Sequence, residues 1–147
     1  MNKVIPPFKY YFPQNTIRRI IANMRNLLES GDFLTQAKYT EEFESKFAKY
    51  IGVKHAIAVS NGTAALEAIF KALKVEGYEV IIPTNTFAAT AFAAIHAGSK
   101  PVFADIGEDM NISVEDVERR LTQRTKVIVP VSYTHLRAHE TEAELVC

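Results

Sequence analysis

The stretch of this chain best suited to hold an anion is Ser60-Asn61-Gly62-Thr63-Ala64-Ala65-Leu66. It joins an apolar run at 55–59 to a helical pattern at 63–73, so it lies where a helix should begin. The first backbone N–H groups of a helix have no intrahelical partner, and the helix dipole adds partial positive charge there. Such a turn can hold a phosphate without any lysine or arginine. Gly62 would let a ligand approach the backbone closely, and the Thr63 hydroxyl could add a further hydrogen bond. The same residues also suit a plain cap, in which Ser60 or Asn61 satisfies the first helical N–H groups. The stretch matches neither GxGxxG nor GxxxxGK[ST], which removes support for dinucleotide and nucleoside-triphosphate readings.

A second feature is Pro83-Thr84-Asn85-Thr86-Phe87-Ala88-Ala89-Thr90. Phe87 stands among alanines and would begin a helix. Its ring could stack on a planar heteroaromatic group, or could equally close the end of a sheet as a core residue. Other chemistry-bearing side chains read as structural. Lys71, Lys74, Lys100 and Lys126 fall on helices, a turn or a strand start, where a solvated ammonium is expected, and His55 and His96 read as structural. No His/Asp/Glu set has metal-ligand spacing, and the one cysteine, Cys147, allows neither a disulfide nor a thiolate cluster.

The elements that must position these residues follow from periodicity. Residues 1–14 hold Pro6, Pro7 and Pro13 among aromatics and read as an extended arm. Ile17, Ile20, Ile21, Met24, Leu27 and Leu28 recur at helical spacing over 16–29, with Asn15 placed to cap and Gly31 to stop that helix. A second helix is expected over 40–50, with Phe43, Phe47 and Ala48 inward and Gly52 closing it. From there strands at 55–59, 79–82, 101–104 and 126–131 alternate with helices at 63–73, 87–96 and 114–121. That alternation implies crossover connections and an α/β fold with a mostly parallel sheet covered on both faces. Ala64, Ala65, Ala68 and Ala72 make one helix side small enough to approach a sheet closely.

Seventeen basic residues balance seventeen acidic ones, so nothing in the charge points to nucleic acid or an anionic membrane. No apolar run reaches the roughly 18–20 residues of a membrane span. The opening residues lack a secretory leader, which makes a cytoplasmic protein the expectation.

Taken together, these stretches resemble the DegT/DnrJ/StrS family of pyridoxal 5′-phosphate (PLP)-dependent aminotransferases, which act on nucleotide-linked keto-sugars. The resemblance rests on GDFLTQ at 31–36, the FE…FA…Y…G pattern at 43–52 and HAIAVSNGTAALEAI at 55–69. It continues through GYEVIIPTNTFAATAFAAIHAGSKPVFADI at 77–106 and NISVEDVERRLTQRTKVIVPV at 111–131. One departure is Ala37, where glycine is expected. The resemblance implies an aspartate-aminotransferase-like (PLP fold type I) large domain, here incomplete, and a homodimer with active sites at the subunit interface. It implies that Gly62 and Thr63 bind the PLP phosphate and that Phe87 stacks on the pyridine ring. It assigns Asp105 a structural place, and it implies amino transfer, with glutamate as the donor, to a nucleotide-linked keto-sugar. The Schiff-base lysine and the carboxylate facing the pyridine nitrogen are expected downstream, so no catalytic residue is assigned within these 147 residues, which alone should be inactive.

The resulting division is an N-terminal arm and helices (1–52), a partial PLP-binding large domain (53–131) and a non-native tail (132–147). The stretch 131–141 resembles the in-frame translation of a transposon-derived sequencing adapter. Four alternatives stand beside the aminotransferase reading: a PLP-dependent sugar dehydratase of the same family, another fold-type-I PLP enzyme such as an amino-acid aminotransferase or a desulfurase (against which the TFAAT element argues), a PLP-binding sensor without turnover, and a small non-catalytic α/β ligand-binding module.

Overall fold

The computed structural model describes residues 9–131; the arm up to Phe8 and the tail from Ser132, including the adapter-like stretch beyond Val131, lie outside them. The chain divides into two compact units, one ending at Ala58 and the other beginning at Val59.

The first unit contains α1 (Gln14–Ser30) and α2 (Lys38–Ile51). Gly31 and Gly52 end them in the left-handed conformation that glycine adopts without penalty, as their positions suggested. The start of α1 differs from expectation. The Pro13 carbonyl accepts the Ile17 N–H at 3.0 Å, so the helix begins ahead of Asn15. The Asn15 carboxamide oxygen then bonds only the adjacent N–H of Thr16, and no side chain caps α1. The apolar stripe of α1 is regular, but none of its residues is buried. In α2 only Ala48 is buried, whereas Phe43 and Phe47 remain exposed. One turn apart, these two rings stack on each other, with centroids 5.6 Å apart, instead of entering a core.

Residues 55–59 form no strand. The Ala58 N–H donates to the Glu44 carboxylate at 2.7 Å.

The second unit is built on β1 (Glu79–Pro83), β2 (Lys100–Ala104) and β3 (Thr125–Ile128), all parallel in the order β2-β1-β3. Around them lie α3 (Gly62–Ala72), α4 (Ala89–His96) and α5 (Val114–Arg120). Strand β1 is central and buried throughout, which explains its unbroken apolar run. Its residues alternate between two clusters. Val80 and Ile82 pack with Phe70, Val75, Ala93, Ala94 and Ala97, and Ile81 packs with Ala104 and Val117 on the other side. At β3 the ladder extends past the strand, because the Val129 N–H still donates to the Ile81 carbonyl.

Helix α3 packs against α4. Its buried edge is Phe70 with Leu66 beside it, four residues apart, whereas Ala68 and Ala72 are exposed. The small side of α3 is therefore not the side that enters this core. A bulky Leu/Phe pair removes more apolar area from water than alanines can, and it takes the inner position.

Buried polar groups fasten the sheet at both ends. At the amino end, the Glu79 carboxylate accepts the Thr122 hydroxyl at 2.7 Å, with the Lys100 ammonium 3.6 Å away. The Thr122 bond, aided by the charges of Lys100 and Arg124, holds Glu79 below the ordinary carboxylate range. At the carboxyl end, the buried Asp116 of α5 accepts the Asp105 N–H just beyond β2. Ser113 caps α5 by accepting the Asp116 N–H at 3.2 Å.

Candidate functional site

The turn from Ser60 to Thr63 leads into the first turn of α3. Asn61 is its cap, and its side-chain oxygen accepts the Ala64 N–H at 2.9 Å while its carbonyl accepts the Ala65 N–H at 3.1 Å. The plain capping reading is therefore realised, by Asn61 and not by Ser60. It satisfies only part of the helix end, because the N–H groups of Gly62 and Thr63 have no partner among the described residues. The Thr63 hydroxyl also has no partner among the described residues, on a residue that is only half-buried. A Cβ built on Gly62 would meet nothing within 4 Å. Two free amides, a free hydroxyl and open space above a glycine suit the three oxygens of a phosphate ester.

Phe87 lies between the carboxyl end of β1 and α4, the region where open parallel sheets bind ligands. It was expected to begin the helix, but α4 starts at Ala89. The Phe87 carbonyl accepts the Thr90 N–H at 3.0 Å, closing a tight turn ahead of the helix. Its ring is 75 % exposed, which excludes the core reading within this unit and leaves a face open for stacking. The helices that follow the two turns, α3 and α4, pack together. In the same loop the side-chain nitrogen of Asn85 is buried without a hydrogen-bond partner. Sequence reasoning also missed the bond between the Thr86 and Thr90 hydroxyls, 2.9 Å apart, because no local pattern distinguishes a paired threonine from a solvated one.

Asp105 follows β2 directly. Its Oδ1 accepts the Ile106 N–H at 2.9 Å and its own N–H goes to Asp116, a structural placement. Three of the four lysines named above have partners at the surface. Lys71 pairs with Glu67 at 2.6 Å, Lys100 lies by Glu79, and Lys126 sits 4.5 Å over the Tyr78 ring. His96 Nδ1 is 3.6 Å from Glu67. The Lys71 bond, more than the histidine, keeps Glu67 below its ordinary pKa. Lys71 and His96 lie near the carboxyl ends of α3 and α4, and Lys71 is about two and a half helical turns from Gly62. Among the described residues no group of three or more His, Cys, Asp or Glu could hold a metal, and no helix is long and apolar enough to cross a membrane.

The sequence profile of the DegT/DnrJ/EryC1/StrS aminotransferase family matches residues 14–138. GDP-perosamine synthase of Vibrio cholerae is 42 % identical over 110 residues, covering 74 % of this chain and 30 % of that protein. The aminotransferase from Psychrobacter cryohalolentis superposes with a TM-score of 0.70 at 35 % identity, over 84 % of this chain and 32 % of that one. GDP-4-keto-6-deoxymannose-3-dehydratase, solved with a trapped PLP–glutamate geminal diamine, gives a TM-score of 0.64 at 29 % identity, over 75 % of this chain and 30 % of that one. The chain thus spans about a third of the length of these relatives, and its partial parallel sheet with flanking helices is the corresponding part of the aminotransferase fold. The chain belongs to the DegT/DnrJ/EryC1/StrS aminotransferase family.

Proposed function

We propose that this chain is part of a cytoplasmic, homodimeric PLP-dependent enzyme that transfers an amino group from glutamate to a nucleotide-linked keto-sugar. The observation that carries this reading is the pair of unclaimed N–H groups at Gly62 and Thr63, held forward by a cap that uses only the amides beyond them. In this reading those amides and the Thr63 hydroxyl grip the cofactor phosphate. The exposed Phe87 ring lies against the pyridine face and fixes the plane of the ring. When bound, PLP supplies an electron sink that lets nitrogen pass from donor to acceptor through the cofactor. The described residues bind and orient; the groups that move protons are assigned to the rest of the full-length protein.

Support comes from the relatives. One is named for perosamine synthesis on a GDP-sugar, another was captured with PLP and glutamate together. The test is to supply the full-length protein with PLP, glutamate and a panel of keto-sugar nucleotides. Amino-sugar formation coupled to loss of glutamate is expected. Failure to bind PLP at all would overturn the reading.

A second reading, a PLP-dependent sugar dehydratase, draws on the dehydratase among the structural relatives. A deoxy product carrying no nitrogen, formed in the same assay, would select it.

A further inference from the structure

We propose that Thr86 and Thr90 act as positioning residues that hold Phe87 in place as a platform for the cofactor ring, an inference that rests on the stacking role proposed above. The need for such a device follows from what surrounds Phe87. Its side chain is 75 % exposed, and its neighbours Ala88 and Ala89 offer little to pack against. An aromatic ring stacks usefully only if its backbone presents it at a fixed height and tilt. The usual means of fixing a helix entry is also missing. The residue at the cap position of α4 is Ala88, which has no side-chain acceptor, and no side chain caps this helix.

The threonines supply what the cap does not. The Thr86 and Thr90 hydroxyls are 2.9 Å apart and form a hydrogen bond that spans Phe87 from one side to the other. Thr90 holds the same turn a second time, donating its N–H to the Phe87 carbonyl at 3.0 Å. It is itself 6 % exposed, the buried residue of the first turn of α4, so its hydroxyl is anchored to the body of the unit. Two bonds from one buried residue thus bracket Phe87. The hydroxyls have no other partner among the described residues, so losing one leaves the other unpaired.

The test is PLP binding by the full-length apo-protein, followed by the change in cofactor absorbance and requiring no turnover. Thr90→Val keeps the side-chain shape and removes the hydroxyl. It is expected to weaken PLP binding roughly three- to tenfold, the range for loss of one such hydrogen bond, and Thr90→Ser should restore it. Thr86→Val, the change at the less buried partner, should weaken binding to a similar extent, and it serves if Thr90→Val folds poorly. The decisive comparison places Thr90→Val in a Phe87→Ala background, where it should cost nothing further. Wild-type affinity in both valine variants, or an undiminished loss in the Phe87→Ala background, would overturn the positioning role alone. Normal PLP binding by Phe87→Ala would overturn the stacking role and this inference with it.

Discussion

The carboxylate of Asp116 accepts the backbone N–H of Asp105 at 2.7 Å, so α5 is tied to the point where β2 ends. The same carboxylate takes the Arg120 Nε at 2.6 Å and an Arg119 nitrogen at 2.9 Å. The Asp105 amide first, and the Arg120 bond after it, pull the Asp116 pKa down to about 2. A group whose folded pKa is depressed stabilises the fold above its unfolded value and ceases to do so as pH falls through the folded one. Stability of the full-length protein should therefore decline between about pH 4 and pH 2 as this bond is protonated, and Asp116→Asn should flatten that part of the profile while lowering stability at neutral pH. Denaturant melts across this range provide the check.

Phe70 is 2 % exposed and touches both the sheet and the α4 side of the core. Phe70→Ala should destabilise by about 3–5 kcal/mol, the usual cost of an emptied aromatic site. A denaturation midpoint close to wild type would show that the α3 end of this cluster collapses to fill the space.

Gly62→Ala should separate folding from binding. The added methyl meets no protein atom, and alanine suits a helix better than glycine, so stability should stay level or rise slightly. The methyl would stand in the space above the free amides, and PLP affinity should fall. Parallel thermal melts and cofactor titrations of the full-length protein test both halves.

Phe87→Ala should behave in a similar way for a different reason. An exposed side chain contributes little to the fold, so the melting curve should move by no more than about 0.5 kcal/mol. Loss of a stacking face should weaken PLP binding by roughly two- to twelvefold. A strong loss of stability would mean that the ring is part of a packed interior in the assembled protein.

Expressed alone, the 147-residue chain should be poorly soluble or molten. Among the described residues both β2 and β3 keep an unpaired edge, and α1 shows Ile20, Ile21, Met24 and Leu28 to solvent. A soluble monomer with a cooperative melt would contradict this.

The elements of the second unit were largely legible because each has a local cause. Glu79–Pro83 is a short apolar run bounded by turn residues, and α5 falls within the helical stretch expected at 114–121. The turn at Ser60–Thr63 was legible for the same reason. What could not be read was pairing. Residues 55–59 have the composition of a strand, yet composition does not supply a neighbour to bond with. Phe43 and Phe47 have the spacing of a buried face, yet nothing local says what would cover it. Phe87 illustrates the limit at the site: α4 begins two residues later, at Ala89, and the bond between the Thr86 and Thr90 hydroxyls, four residues apart, leaves no signal in the local sequence.

Strand β1 lies between two partners that both come later in the chain, at residues 100–104 and 125–128. During synthesis its apolar residues must therefore leave the ribosome before anything exists to pair with them. The first side is covered after about twenty more residues and the second only after about forty-five, a wait of several seconds at ordinary elongation rates of roughly 5–20 residues per second. Through that interval the backbone N–H and C=O groups of Val80, Ile81 and Ile82 have no neighbouring strand to bond with, although Phe70 and Val75, which pack against Val80 and Ile82, are already made.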